Sequence, residues 1–167
     1  LPNGDVLVAE SNAPAANSGF SLKGWIAGKI MARAGAGVPS ANRITLLRSD
    51  GLQSVQGPYD LILCNPPYVN AQSMKALPAE YLAEPELALA SGEDGMDFTR
   101  ALFASLRADP DRYMTPDAVL VLEIGNERPN FERAFPDLAV TWLDTTSGAD
   151  QLLLITRDAL LLESESA

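Results

Sequence analysis

The stretch that decides the fold is YDLILCNPPYVN, residues 59–70. Its first half, 59–64, is an apolar run with the length and composition of a β-strand. The run stops at Asn65, and two prolines and an aromatic ring follow. Prolines hold φ at about −65° and lack a backbone N–H, so the strand cannot continue through them. Either the chain simply turns here, or the turn builds a small rigid pocket.

The pocket interpretation depends on hydrogen-bonding groups that the prolines leave available. The carbonyls of Asn65 and Pro66 can accept hydrogen bonds, and the Asn65 side chain adds one acceptor and two donors. Tyr68 adds a flat aromatic face. A planar –NH2 group fits such a slot, with its N–H bonds on the acceptors and its π face on the ring. The alternative is an ordinary strand-ending turn, because Asn-Pro commonly opens turns.

Strands and helices alternate along the chain, which predicts an α/β fold with a parallel sheet. Besides 59–64, we predict strands at 5–10, 43–50 and 117–125, the last buried throughout, and helices at 21–35, 94–108 and 128–135. Segments 138–144 and 151–160 are predicted to close the fold as an antiparallel hairpin. Residues 65–93 form a long loop with room for one helical turn in 76–90. We expect one domain over 1–162 and a frayed tail at 163–167.

The composition excludes several chemistries. The chain has no histidine, which removes the Ser-His-Asp triad, the Cys-His pair and a histidine base, and disfavours zinc. Its single cysteine, Cys64, cannot form an internal disulfide and is interpreted as a small buried hydrophobe. The single cysteine and the lack of a signal peptide lead us to expect a cytoplasmic protein, and with no apolar run of roughly 18 residues we expect one that does not span a membrane. A net charge of −10 with scattered basic residues disfavours direct nucleic-acid binding.

Residues 65–103 read NPPYVNAQSMKALPAEYLAEPELALASGEDGMDFTRALF. NPPY after an apolar strand resembles motif IV of the amino-methyltransferases that use S-adenosylmethionine, a group that includes protein-glutamine and N6-adenine enzymes. The downstream residues resemble the HemK-type glutamine methyltransferases, which modify a glutamine of peptide release factors or of a ribosomal protein. The diagnostic residues are Glu84-Pro85, Ala88-Leu89, Gly92, Asp94 and Gly95. The likeness continues through PDAVLVLEIGNERP, residues 116–129.

The resemblance implies a Rossmann-like class I fold, S-adenosylmethionine as cofactor, and methyl transfer to a glutamine side-chain amide nitrogen. It also implies no metal. Asn65, Pro66 and Tyr68 would be the catalytic residues, with Pro67 completing the aromatic wall around the substrate amide. Asn65 would also contact the cofactor. Within this family, the sequence of residues 78–97 resembles the ribosomal-protein enzymes slightly more than the release-factor enzymes.

Three acidic residues receive roles from the same resemblance. Glu10 would accept bonds from the cofactor ribose and Asp50 from the adenine amino group, while Glu84 would order the substrate loop. Each has an ordinary alternative: a strand-end acid, a turn aspartate before Gly51, and a solvated loop acid. If the sheet is parallel, Glu10, Asp50 and Asn65 meet at its carboxyl edge, where ligands bind in such folds. Glu123, inside LEIG, is interpreted as structural.

One expected feature is not found. Methyltransferases of this type carry a glycine-rich loop after their first strand, and neither the GAG at 35–37 nor EIGNER at 123–128 occurs in that context. The pattern therefore predicts that the first strand and its glycine loop are absent, leaving a gap with two unpaired strand edges. Such a fragment alone would be inactive. Two other interpretations remain open: an N6-adenine DNA or RNA methyltransferase, and an inactive Rossmann-like fragment that serves as a binding module.

Overall fold

The structure is a computed structural model that describes residues 6–10, 44–76, 88–145 and 148–162, with backbone only for 6–10 and 44–48. The elements in chain order are β1 Val6–Glu10, β2 Ile44–Arg48, β3 Tyr59–Cys64, α1 Ala71–Lys75, α2 Asp97–Ala108, α3 Pro110–Tyr113, β4 Met114–Glu123, α4 Arg128–Ala134, β5 Thr141–Trp142, β6 Leu152–Thr156 and α5 Arg157–Leu162. The predicted helix at 21–35, the tail at 163–167 and most of 76–90 lie outside the described residues.

The described strands form two sheets. Strands β1 and β2 make a parallel pair, and the other four strands follow the order β3-β4-β6-β5. Within the larger sheet β3 and β4 are parallel, whereas β4–β6 and β6–β5 are antiparallel. The mixed α/β class and the closing antiparallel hairpin are therefore confirmed, as are the bounds of β3.

The core lies on one face of the four-stranded sheet. Along β4, Leu120 and Leu122 are fully buried, and they pair in register with Ile155 and Leu153 of β6. The alternate β4 residues 119, 121 and 123 are only partly buried. The prediction that this strand is buried throughout is therefore wrong, because in the described part of the chain only one sheet face is covered.

Helices α2, α4 and α5 supply the side chains that cover this face. Phe103 of α2 and Phe131 of α4 meet edge to face, with ring centroids 6.5 Å apart, and Leu160 of α5 belongs to the same buried cluster. Trp142 of β5 packs edge-on against Phe131 at 5.9 Å. These contacts join the last third of the chain to α2.

Several element boundaries differ from the predictions. The segment 157–160, predicted as strand, is helical in α5, because the Thr156 hydroxyl accepts the Ala159 N–H at 3.2 Å and caps a helix there. The strand predicted at 138–144 shortens to β5, and α1 and α3 were not predicted. Helix α2 begins at Asp97 rather than at 94, since the preceding residues form a turn.

No helix in the described segments is long and apolar enough to cross a membrane.

We expect the side-chain hydroxyl of Thr99, in α2, to lower the free energy of unfolding. Its hydroxyl is fully buried and has no hydrogen-bond partner among the described residues. A buried unsatisfied hydroxyl costs about 1–3 kcal/mol, so the isosteric Thr99→Val variant should be more stable than the parent. Urea denaturation measures the difference. A lower midpoint for Thr99→Val would show that the hydroxyl has a stabilising partner.

Candidate active site at the carboxyl ends of β3 and β4

The candidate site lies where two neighbouring parallel strands end. Cys64, the last residue of β3, pairs in register with Leu122 near the end of β4. The NPPY loop, Asn65–Tyr68, therefore leaves the sheet beside the loop that follows β4, residues 124–127. The Ile124 N–H donates to the Gln151 carbonyl at 2.9 Å, which ties this second loop to the start of β6. Ligands in α/β folds bind at such an edge.

The four NPPY residues differ in exposure. Asn65 is exposed, Pro66 is buried, and Pro67 and Tyr68 are partly buried. A buried proline next to an exposed amide gives a rigid support with its polar end facing outward, which is the arrangement that the pocket interpretation requires. The individual roles of these residues in binding stay predictions.

The diagnostic stretch downstream of NPPY lies directly against it. Val69 and Ala90 form a parallel bridge, in which the Val69 N–H donates to the Leu89 carbonyl at 2.8 Å and the Ser91 N–H to the Val69 carbonyl at 3.0 Å. Motif residues that are some 20 positions apart in the sequence are thus joined by an isolated β-bridge with two backbone hydrogen bonds.

Gly95 makes the closest approach to the NPPY loop. Its φ is +81°, and a Cβ built on it would lie 2.3 Å from the Tyr68 carbonyl oxygen. Only glycine combines that backbone conformation with that contact. Gly92, in the same turn, has a φ of +78°, but its virtual Cβ meets the side chain of Asp97 instead.

Asp94 fixes the turn that carries these glycines. Its two carboxylate oxygens accept from Arg100 Nη1 at 3.0 Å and Nη2 at 2.5 Å, and Oδ1 also accepts the Met96 N–H at 3.0 Å. The hydrogen bond from Arg100 is the main cause that lowers the pKa of the Asp94 carboxyl. The Ser91 hydroxyl oxygen accepts the Phe98 N–H at 2.9 Å and joins the turn to the first turn of α2.

Gly125 supports the aromatic ring of the NPPY loop. It adopts a φ of +54°, and a Cβ at this position would lie 2.5 Å from Tyr68 Cε2 and 2.9 Å from Tyr68 Cζ. The ring of Tyr68 therefore rests on the glycine backbone after β4. The stretch EIGNER contributes to the site as this platform.

Glu127 is a site residue that sequence reasoning missed. It is 7% exposed, and its carboxylate accepts from Asn70 Nδ2 at 2.7 Å and Asn130 Nδ2 at 2.5 Å. Asn70 lies two residues after Tyr68, the last residue of the NPPY loop, so this hydrogen bond connects the segment that follows the loop to the loop after β4. The signal was present in the sequence: Glu127 is an acid shortly after a strand, the same feature that singled out Glu10 and Asp50.

Among the described residues, no strand pairing joins the sheet that precedes Asp50 to the sheet that carries the NPPY loop. Glu10 ends β1 and Asp50 follows β2, so both lie at the carboxyl edge of the two-stranded sheet, separate from β3. Asp50 is exposed and accepts from Gln53 Nε2 at 3.4 Å, consistent with its turn alternative. Glu84 lies outside the described residues. The predicted convergence of Glu10, Asp50 and Asn65 stays a prediction.

Cys64 should be chemically inert although it precedes Asn65. It packs against the core, and burial raises the pKa of its thiol to about 12 from the ordinary 9.0. The thiolate population at pH 8 is then about 10³-fold lower than for an ordinary cysteine, because only the thiolate reacts. We expect iodoacetamide at pH 8 to label the folded chain very slowly and the urea-unfolded chain rapidly. Equal labelling of both states would contradict this burial.

The sheet and the loop at its carboxyl edge define a class: a mixed α/β protein compatible with the methyltransferase fold, carrying an NPPY loop on a glycine platform.

No protein-family model matches the chain. It is, however, 52% identical over 120 residues to the ribosomal protein uL3 glutamine methyltransferase of Bordetella pertussis, covering 71% of this chain and 39% of the relative. The corresponding protein of Neisseria gonorrhoeae is 47% identical over 121 residues, covering 72% of this chain and 39% of the relative. That of Burkholderia pseudomallei is 54% identical over 97 residues, covering 58% of this chain and 30% of the relative.

Over these residues the chain is homologous to HemK-type protein glutamine methyltransferases, and the resemblance read from residues 65–129 is confirmed. The chain spans about 39% of the length of the first two relatives.

Proposed function

We propose that this chain carries part of the catalytic domain of an S-adenosylmethionine-dependent methyltransferase, which methylates the side-chain amide nitrogen of a glutamine in ribosomal protein uL3. The observation that carries the proposal is the NPPY loop at the sheet edge, held between Gly95 and Gly125. The relatives, which are up to 54% identical to this chain over the aligned residues, are named ribosomal protein uL3 glutamine methyltransferases, and this supports the proposal. A ribosomal substrate agrees with the cytoplasmic location that the cysteine content predicts.

In this proposal the loop acts by holding the amide. The exposed Asn65 side chain and the carbonyls of Asn65 and Pro66 accept the two amide N–H bonds, and Tyr68 with Pro67 covers one face. An amide nitrogen is a weak nucleophile, since its lone pair is delocalised. Fixing both N–H bonds and excluding water orient that lone pair toward the methyl group and lower the barrier. S-adenosylmethionine, when bound, would supply a methyl group on a sulfonium: the N–CH3 bond forms as the S–CH3 bond breaks, S-adenosylhomocysteine leaves, and the amide nitrogen gives up one proton.

The donor set in this chain fits only part of the cofactor. Carboxylates at the ends of β1 and β2, Glu10 and Asp50, are suited to ribose hydroxyls and an adenine amino group. Residues that would cradle the methionine portion are not found as a glycine-rich loop in the sequence. We infer that a first strand and its loop, supplied by a longer protein, complete the site and give it a Rossmann-like class I sheet.

The two-sheet arrangement supports this inference. In the family pattern the first strand lies between the strands that correspond to β1 and β3. Sheets β1-β2 and β3-β4-β6-β5 are separate here, which is the division that a strand missing from that place would leave. We call this chain joined to its upstream residues the extended protein. On this proposal 1–162 is a partial catalytic domain.

The net charge supports a protein substrate over DNA or RNA. The chain carries 22 acidic against 12 basic residues, which repels a phosphate backbone and attracts a basic partner. Ribosomal proteins that bind RNA are basic, so the charge suits uL3. The N6-adenine alternative requires a basic face that the composition does not provide.

The test is a methylation assay of the extended protein with methyl-tritiated S-adenosylmethionine. We expect label in recombinant uL3, with mass spectrometry placing one methyl group on a glutamine side chain. The matched controls are uL3 with that glutamine changed to alanine, and the Asn65→Ala enzyme, both of which should stay unlabelled. Label in a release factor or in adenine bases, but not in uL3, would assign the enzyme to one of the alternatives.

A further inference from the structure

A buried carboxylate joins the two loops of the candidate site. Glu127 lies after β4 and is 7% exposed, and Oε1 accepts from Asn70 Nδ2 at 2.7 Å while Oε2 accepts from Asn130 Nδ2 at 2.5 Å. Each carboxylate oxygen thus has an amide donor. Because a buried charge is costly unless it is hydrogen-bonded, this arrangement is strongly preferred over any in which one donor is lost.

The partners of Glu127 are themselves fixed by second hydrogen bonds. Asn70 Oδ1 accepts the Ser73 N–H at 2.8 Å and caps helix α1, and Asn130 Oδ1 accepts from Arg133 Nη1 at 2.9 Å. Each amide can therefore present only its NH2 group to the carboxylate. The result is a directional series of hydrogen bonds from α4 through Glu127 to Asn70, the residue that follows the NPPYV stretch.

The hydrogen bond from Asn70 to Glu127 is the second of two attachments between the segment 65–70 and the β4–α4 turn. The first is the Tyr68 ring on the Gly125 backbone, at a distance that leaves no room for a Cβ. The tie from Asn70 to Glu127 holds the loop two residues further on. Two attachments, one apolar and one polar, fix both the position and the rotation of a short loop.

We propose that Glu127 is a positioning residue for methyl transfer, acting through Asn70 to hold the NPPY loop in its productive orientation. The inference rests on the proposed function. Both carboxylate oxygens of Glu127 accept hydrogen bonds from asparagine side chains. Its contribution is to geometry, where a displacement of about 1 Å at the reacting amide lowers the rate on the order of 10²-fold.

The first test separates the tie from the helix cap in the extended protein. Asn70→Ser keeps a capping oxygen for α1 but cannot reach Glu127 as a donor. We expect kcat to fall about tenfold or more, with KM for uL3 and the Kd for S-adenosylmethionine changed less than about threefold. Hydrogen exchange in the peptide 65–76 should accelerate. Glu132→Gln is the matched control, because Glu132 is an exposed glutamate on α4, the helix that follows Glu127. It should change neither kcat nor the hydrogen exchange of the peptide 65–76.

The second test exchanges donor and acceptor. Asn70→Asp alone sets two carboxylates against each other and should lower kcat further than Asn70→Ser. Adding Glu127→Gln restores one donor and one acceptor: the new amide nitrogen donates to residue 70, and its oxygen still accepts from Asn130. We expect the double variant to recover kcat to within about threefold of the parent.

The outcomes decide between the claims. Parental kcat in Asn70→Ser, or a double variant that folds without recovering kcat, would overturn the positioning role of Glu127. If Asn70→Asp fails to fold, the double variant and Asn70→Ser still decide the question. If the unmodified extended protein does not methylate uL3, the proposed function fails. Hydrogen exchange then still reports whether the tie orders the loop, so the two failures are distinguishable.

Discussion

A Gly95→Ala variant should lose both stability and methyl transfer. At a φ of +81° an alanine costs about 1–2 kcal/mol in the backbone alone. Its Cβ would also lie 2.3 Å from the Tyr68 carbonyl oxygen, which is backbone and cannot rotate away. Relieving that overlap displaces the NPPY loop and costs about 1–3 kcal/mol more. We expect a total loss of about 2–5 kcal/mol by urea denaturation, and a fall in kcat on the order of 10²-fold in the extended protein.

Gly92→Ala is the matched control for this prediction. It lies in the same turn at nearly the same φ, +78°, so it carries the same backbone strain. Its virtual Cβ meets the carboxylate of Asp97, a flexible and exposed side chain that can move. Gly92→Ala should therefore lose only about 1–2 kcal/mol and retain most of its activity. Equal losses in both variants would show that strain, and not contact with Tyr68, explains the glycine at 95.

The second large effect is expected at Gly125. Gly125→Ala places a Cβ 2.5 Å from Tyr68 Cε2, so the ring has to leave the position that it occupies after β4. Because Tyr68 is proposed to cover one face of the substrate amide, we expect kcat in the extended protein to fall on the order of 10²-fold. Stability should fall by about 2–5 kcal/mol, the sum of backbone strain and overpacking.

Gly51 provides the comparison that isolates the ring contact. Its φ is +53°, against +54° at Gly125, and a Cβ on Gly51 would have no atom within 4 Å. Gly51→Ala should lower the free energy of unfolding by the cost of backbone strain alone, about 1–2 kcal/mol, and leave kcat unchanged. The difference between the two variants measures the cost of moving Tyr68. If Gly125→Ala behaves like Gly51→Ala, the glycine platform has no part in positioning the ring.

The features that the sequence predicted well are those determined by residues adjacent to one another in the sequence. The bounds of β3 followed from an apolar run stopped by two prolines, and the α/β class followed from alternation of periodicities. Helix α5 was missed because residues 157–160, RDAL, were assigned to the strand β6, although Arg157 and Asp158 interrupt its apolar run. What ends the strand there is the Thr156 cap, together with the hydrogen bond from Arg157 Nη1 to the Met114 carbonyl at 2.8 Å.

The parts of the site that depend on distant contacts could not be predicted from spacing. The motif glycines were recognised by resemblance, but the reason for Gly95 is a backbone carbonyl that lies 27 positions earlier in the sequence. Glu127 could be recognised from the sequence as an acid after a strand, but its partner Asn70 could not, because the two residues are 57 positions apart. Local patterns report periodicity and turns, whereas close approaches between loops appear only when the fold is assembled.

The proposal that this chain holds part of an S-adenosylmethionine site is tested most directly by calorimetric titration of that cofactor. The titration is run on this chain and on the extended protein under the same conditions. The account predicts binding at one site per extended protein and weak or no binding to this chain, because its sequence shows no glycine-rich loop in the expected context. Absence of binding to the extended protein would contradict the methyltransferase assignment, and tight stoichiometric binding to this chain alone would contradict the requirement for a further strand and loop.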